Sequence, residues 1–240
     1  MAEKPRRRDR DTLDQTKLNN AYAAWAPIYD LVFGAVFDHG RKASIEAAER
    51  IGGRILDVGI GTGISLLDFS PSNSVIGVDI SEPMLRRAYR RVIDEKLAHV
   101  EGLAVMDAEK LGFPDGAFDA VLAQYVITTV PDPEGTLDEF ARVTRPGGEI
   151  ILVNHLGAER GLRRDFERSF APMARKLGWQ PEFAWARLEQ WAARNGCVRV
   201  VERRPMPPLG HFSLIRFERL VAKRPQMAGA ILGSAGAILG

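Results

Sequence analysis

The stretch "LDVGIGTGIS", residues 56–65, sets Gly59, Gly61 and Gly63 at alternate positions directly behind an apolar run. Glycines there let the backbone turn tightly and let a ligand approach without meeting a Cβ. The nicotinamide-dinucleotide fingerprint G-x-G-x-x-G would need glycine where the chain has Ile64, which weakens a dehydrogenase reading without abolishing it. Asp79 closes the second apolar run, where a carboxylate can accept hydrogen bonds from both hydroxyls of a ribose. Asp107 ends the third, just before Ala108, and can accept a bond from an adenine amino group. Each carboxylate alone also reads as a helix cap or turn former. Taken in order, behind strands one, two and three, they compose an adenosine pocket.

Proton chemistry has one good candidate. His155 follows the fifth apolar run, and a histidine titrating near neutrality can accept or relay a proton. A lone histidine at a strand end is as often structural. Asn154 beside it can orient His155 or a substrate. Ahead of the first strand, "AYAAWAPIYDLVFG" (residues 21–34) gathers Tyr22, Trp25, Tyr29 and Phe33. Trp25 and Phe33 are expected to pack the leader on the body, whereas Tyr22 and Tyr29 carry polar tips suited to a site.

These residues need a scaffold, and the apolar periodicity supplies one. Residues 12–25 read as helical, with Leu18, Tyr22 and Trp25 on one face, and Pro27 disfavours helix at Ala26. Residues 38–51 read as an amphipathic helix closed by Gly52 and Gly53. Then "RILDVGIG", "SVIGVDI", "VEGLAVMD", "FDAVLAQYVI" and "GGEIILVNH" read as strands, with helices over "PMLRRAYRRVIDEK" and "EGTLDEFARVTR" between them. Such alternation predicts an α/β fold with a mostly parallel sheet covered on both faces. Residues 159–178 and 184–195 read as helices. "CVRVVERR" and "HFSLIRFER" alternate like strands, and only the short "PMPPLG" joins them, so they should pair antiparallel. The expected organisation is basic and aromatic helices over 1–37, one catalytic domain over 38–222, and an apolar, flexible tail over 223–240.

Charge is uneven. Lys4, Arg6, Arg7, Arg8, Arg10 and Lys17 crowd the first twenty residues, and Arg199, Arg203, Arg204, Arg216, Arg219, Lys223 and Arg224 lie late in the chain. Basic ends suit an anionic partner such as a membrane surface or nucleic acid, or are simply solvated. Cys197 is the only cysteine, which rules out an internal disulfide and fits a reducing cytoplasm. No secretory signal is read at the charged start, and "MAGAILGSAGAILG" is shorter than the ~20 residues a spanning helix needs.

"LDVGIGTG", "VDISEPML", "DAEKLGFPDGAFDAV" and "ARVTRPGGEIILVN" resemble the successive motifs of class I S-adenosylmethionine-dependent methyltransferases, over roughly residues 50–155. The resemblance implies a Rossmann-like, seven-stranded sheet with an antiparallel last strand. It places Asp57 near the amino-acid end of the cofactor and Gly59, Gly61 and Gly63 in its loop. Asp79 becomes the ribose acid, with Ile80 and Met84 beside the adenine. Asp107 and Ala108 form the adenine loop, and Gln124 and Tyr125 stand beside the sulfonium. The fourth strand ends "AQYVITTV" rather than Asn/Asp-Pro-Pro-Tyr, which argues against a nucleic-acid substrate.

Two subfamilies remain. The middle of the chain is similar to quinone-biosynthesis C-methyltransferases. The leader, "VNH" and "RRPMPPLGHFSL" resemble bacterial phospholipid N-methyltransferases, up to about residue 220. The second implies stepwise methylation of phosphatidylethanolamine to phosphatidylcholine by an enzyme held peripherally on the inner face of the membrane. Its amine would end as a quaternary cation without hydrogen-bond donors, which aromatic faces bind at roughly 0.5–2 kcal/mol per ring. Tyr22, Tyr125 and His155 are then the expected catalytic residues, with Tyr29 toward the cofactor. Asn154, Arg203, Arg204 and His211 are expected at the substrate, the arginines on its phosphate or on bulk anionic lipid. No metal and no protein partner is expected. A non-catalytic nucleotide-fold protein is the alternative of another class.

Overall fold

Short aliphatic runs behind turn residues form the strands, and both faces of the sheet they make are covered. In the computed structural model, which describes residues 37–157, 183–207, 210 and 212–221, the strands are β1 (Arg54–Val58), β2 (Ser74–Asp79), β3 (Val100–Val105), β4 (Phe118–Gln124), β5 (Thr144–His155), β6 (Val198–Met206) and β7 (Phe212–Arg219). They form one sheet in the order β3-β2-β1-β4-β5-β7-β6. The first five run parallel, and β7 is antiparallel to both β5 and β6, as the short β6–β7 connection requires.

Helix α1 (37–51) and helix α2 (Glu82–Asp94) cover one face, and α3 (Pro133–Val143) and α4 (Trp185–Asn195) the other. Ile45, Ala48, Leu85 and Ala88 pack on Ile55, Val75, Leu122 and Val153. Phe140, Leu188 and Trp191 pack on Val121, Ile150, Leu152 and Phe217. Each large side chain so buried contributes about 1.5–3 kcal/mol. Burial from both sides explains why the central strands read as apolar runs rather than alternating ones.

The helix ends follow local chemistry. Asp132 caps α3 by accepting from the Gly135 N–H at 3.1 Å, with Pro133 in the first turn. Gly196, at φ 67°, ends α4. Among the boundaries that differ from the sequence expectation, two have a plain local cause. Helix α3 stops at Val143 rather than Arg145, because Pro146 disfavours helix at the residue before it, and β5 begins at Thr144. Strand β4 stops at Gln124 rather than Ile127, because Tyr125 turns left-handed, at φ 63°.

Register fixes what lies level at the carboxyl edge. Val58 pairs with Val78 and Ala123, Gln124 with Val153, Val153 with Leu214, and Leu214 with Arg204. At the opposite edge the Leu220 N–H donates to the carbonyl of Cys197, whose thiol is exposed. Tyr22, Tyr29 and His211, the leader 1–36 and the tail 222–240 lie outside the described residues.

Candidate active site

The glycine loop leaves β1 with Gly59, Gly61 and Gly63 all at positive φ. At Gly63 a Cβ would come within 2.8 Å of the Ala88 Cβ on α2, so that glycine lets loop and helix close. Gly61 is different: among the described residues nothing lies within 4 Å of where its Cβ would stand. Its backbone borders open room, which suits close approach of a ligand.

Asp79 ties this loop to the end of β2. One carboxylate oxygen accepts the Gly61 N–H and the other the Ser81 N–H, both at 2.8 Å. Burial raises its pKa, against the pull of those two N–H donors. The expected turn-forming role and the expected ribose role therefore sit on one side chain, since each oxygen keeps a further lone pair. Ile80 beside it is 55% exposed, although a large aliphatic side chain, and Met84 is buried. Among the described residues the buried Ser81 hydroxyl has no hydrogen-bond partner.

Asp57, 1% exposed, accepts from the Ser65 hydroxyl at 2.7 Å. Burial pushes its pKa up to about 7; the Ser65 hydrogen bond opposes this and the Asp79 charge adds to it. Asp107 is exposed and accepts the Glu109 N–H at 2.9 Å, which shapes the loop behind β3. Ala108 is half-buried, and Arg142 of α3 holds the same loop by donating to the Leu111 and Phe113 carbonyls at 2.9 and 2.8 Å.

At the end of β4 both residues expected beside the sulfonium also have protein partners. The Gln124 amide nitrogen donates to the Ser44 hydroxyl at 2.8 Å and the Arg41 carbonyl at 3.3 Å, so this side chain turns toward α1. Tyr125 donates its N–H to the Val153 carbonyl at 2.6 Å and its hydroxyl to the Phe37 carbonyl at 3.2 Å. Its left-handed backbone costs about 1–2 kcal/mol in an L-residue other than glycine. Asn154 is fully buried and donates to the Thr128 hydroxyl at 3.1 Å, and among the described residues its carbonyl oxygen has no partner. His155 is half-buried at the end of β5, 6.3 Å from the Phe212 ring.

The structure sends Arg203 and Arg204 to different surroundings, since adjacent strand residues point to opposite faces. Arg203, level with Ile215, lies 4.8 Å over the Trp185 ring of α4. Arg204, level with Leu214, pairs with Glu202 at 2.9 Å, and Glu202 in turn pairs with Arg216 and through it Glu149. Sequence reasoning missed Phe37 and Phe212, which pack on Tyr125; an aromatic at the first residue of β7 was the only signal available.

Comparison with known proteins agrees with this arrangement. The methyltransferase-domain family matches residues 56–152. A phosphatidylethanolamine N-methyltransferase of Cereibacter sphaeroides is 40% identical over 202 residues, 84% of this chain and 97% of that protein. A demethylmenaquinone methyltransferase of Thermus thermophilus is 39% identical over 140 residues, 53% of this chain and 61% of that one. The solved phosphoethanolamine N-methyltransferase 2 of Haemonchus contortus, in complex with phosphomonomethylethanolamine and S-adenosylhomocysteine, shares the fold at TM-score 0.62 and 19% identity, over 80% of this chain and 56% of that one. The open face of Gly61, the Asp79 carboxylate, the exposed Ile80 and the unpartnered Ser81 hydroxyl fit the adenosine part of S-adenosylmethionine. A likeness along nearly the whole length of such a relative, on a sheet of this order, makes the chain a member of the class I S-adenosylmethionine-dependent methyltransferases, with S-adenosylmethionine as its methyl donor.

Proposed function

We propose that the chain methylates the amino group of phosphatidylethanolamine stepwise to phosphatidylcholine, working peripherally at the cytoplasmic face of a membrane. The observation that carries this reading is the extent of the Cereibacter likeness. It spans 97% of that protein and 84% of this chain, and so reaches well beyond residues 56–152. Among the described residues no helix is long and apolar enough to cross a membrane, and the basic ends suit attraction to anionic lipid.

When bound, S-adenosylmethionine would supply an electrophilic methyl group on a sulfonium, so that the amine lone pair would form the N–C bond as the C–S bond breaks and a neutral thioether leaves. The protein's share is placement and proton handling. Asp79, held by the Gly61 and Ser81 N–H groups, fixes one end of the donor site, and Asp57 offers a buried carboxylate beside the same loop. The acceptor amine must arrive with its lone pair free, so an ammonium proton has to leave; the His155 imidazole stands at the end of β5 to take it. Proximity and alignment supply most of the acceleration, because the methyl group is already activated.

A quinone or other small-molecule methyltransferase is the second reading, favoured by the Thermus likeness over about half of the chain. The test is incubation with labelled S-adenosylmethionine and phosphatidylethanolamine vesicles, followed by lipid chromatography. Label in mono-, di- and trimethylated lipid is expected. Unlabelled lipid beside a methylated quinone would overturn the proposal.

A further inference from the structure

We infer that Phe37, Tyr125 and Phe212 form a specificity wall in the acceptor subsite, one that binds a methylated ammonium in preference to a primary one. This rests on the acceptor reading given above. The three residues come from helix α1, the end of β4 and the start of β7, and their rings meet at centroid distances of 4.2 Å (Phe37–Tyr125), 5.2 Å (Phe37–Phe212) and 5.3 Å (Tyr125–Phe212). Phe212 stands nearly perpendicular to both partners, at 73° and 82°, and also to His155, at 80°. All four residues are half-buried at the carboxyl edge, with Tyr125 and Phe212 also packed against the core below them. The residue after Tyr125 reaches the glycine loop, where a Cβ on Gly59 would run into the side chain of Val126.

Two backbone features show that the position of the Tyr125 ring matters. Tyr125 sits in a left-handed conformation that Asn or Gly would adopt with less strain. Gly40 on α1 faces its hydroxyl, where a Cβ would come within 2.5 Å. A ring that merely filled space would need neither. Strain of this kind is concentrated at functional sites.

The chemistry then follows from the aromatic faces themselves. Asp38, the carboxylate next to Phe37 in sequence, is already paired with Arg41 at 2.5 Å and Lys42 at 3.0 Å. A primary ammonium is strongly hydrated and carries three donors that a ring face satisfies poorly. Each added methyl group replaces a donor with a weakly hydrated C–H surface, which suits an aromatic face. The wall therefore holds each product more firmly than its precursor, favouring successive transfers on one lipid.

The test compares binding of two soluble head-group probes, phosphocholine and phosphoethanolamine, by calorimetry on the full chain saturated with S-adenosylhomocysteine. The wild-type protein should bind phosphocholine several-fold more tightly. Phe212→Leu keeps the apolar volume without a π face, and should bring the two affinities close together at unchanged S-adenosylhomocysteine affinity. Phe212→Tyr should keep the preference, and Phe37→Leu should reduce it if Phe212→Leu fails to fold. In turnover on vesicles, Phe212→Leu should accumulate monomethylated lipid. Equal wild-type affinities, or a preference that survives both leucine variants, would overturn the wall. A wild-type protein that prefers phosphocholine yet methylates no ethanolamine lipid would overturn the proposed function and leave the wall standing.

Discussion

Asp57 carries the chemistry that is easiest to measure. Its carboxyl is held at about 7 by burial, against an ordinary value of 3.8. The folded chain therefore binds a proton there that the unfolded chain has already released, so stability should fall as pH rises through that window. A cationic donor beside the carboxylate reverses the preference and favours ionisation. S-adenosylmethionine binding is thus expected to release protons just below neutral pH and to tighten as pH rises toward 7. Calorimetry in buffers of differing ionisation enthalpy reads that release directly. Asp57→Asn should abolish it and weaken binding by about tenfold or more, the worth of one charge-assisted contact. Residues of this sort were legible in the sequence, because Asp57, the glycines and Asp79 occupy fixed places around one strand–turn–strand unit. Tyr125 was legible only as a strand end, since tyrosine gives no turn signal that would announce a left-handed backbone.

Among the elements, the loop between β3 and β4 depends on a helix beyond it. Arg142 of α3 holds the Leu111 and Phe113 carbonyls and pairs with Glu139 and Asp115, while Glu139 accepts the Leu111 N–H at 2.7 Å. Arg142→Met removes the donors to both carbonyls. It should cost about 2 kcal/mol in thermal unfolding, in keeping with hydrogen bonds to a charged, partly exposed group. It should also weaken S-adenosylmethionine binding through Asp107 and Ala108 while leaving head-group probe affinity unchanged. Parallel measurements of melting temperature and the two affinities check this. What the sequence could not show at this scale depends on register and distance along the chain. Arg203 and Arg204 are neighbours in sequence, and only the β6–β7 pairing sends them to opposite faces. Phe37 and Phe212 are far apart in sequence, and they meet only because β7 runs antiparallel beside β5.

For the whole molecule, the order β3-β2-β1-β4-β5-β7-β6 was foreseeable in class, because apolar runs buried on both faces and a short last connection leave few alternatives. The proposed membrane contact can be tested at the basic leader. Deleting residues 1–20 should weaken cosedimentation with anionic vesicles, and the difference from the full chain should be largest at low salt, where screening is least. Equal binding by both forms at every salt concentration would remove the leader from the membrane contact.

The reversed direction of β7 also decides where a reporter can go. Strand β6 begins next to Cys197 and ends with Met206 at the carboxyl edge, so its length separates the exposed thiol from the transfer site by roughly 25 Å. Cys197 is also the only cysteine of the chain. A maleimide dye added to the unaltered protein therefore labels one known position, remote from the donor and acceptor. Energy transfer from that dye to a lipid-borne acceptor would read how the sheet is oriented on a vesicle, without any engineered handle.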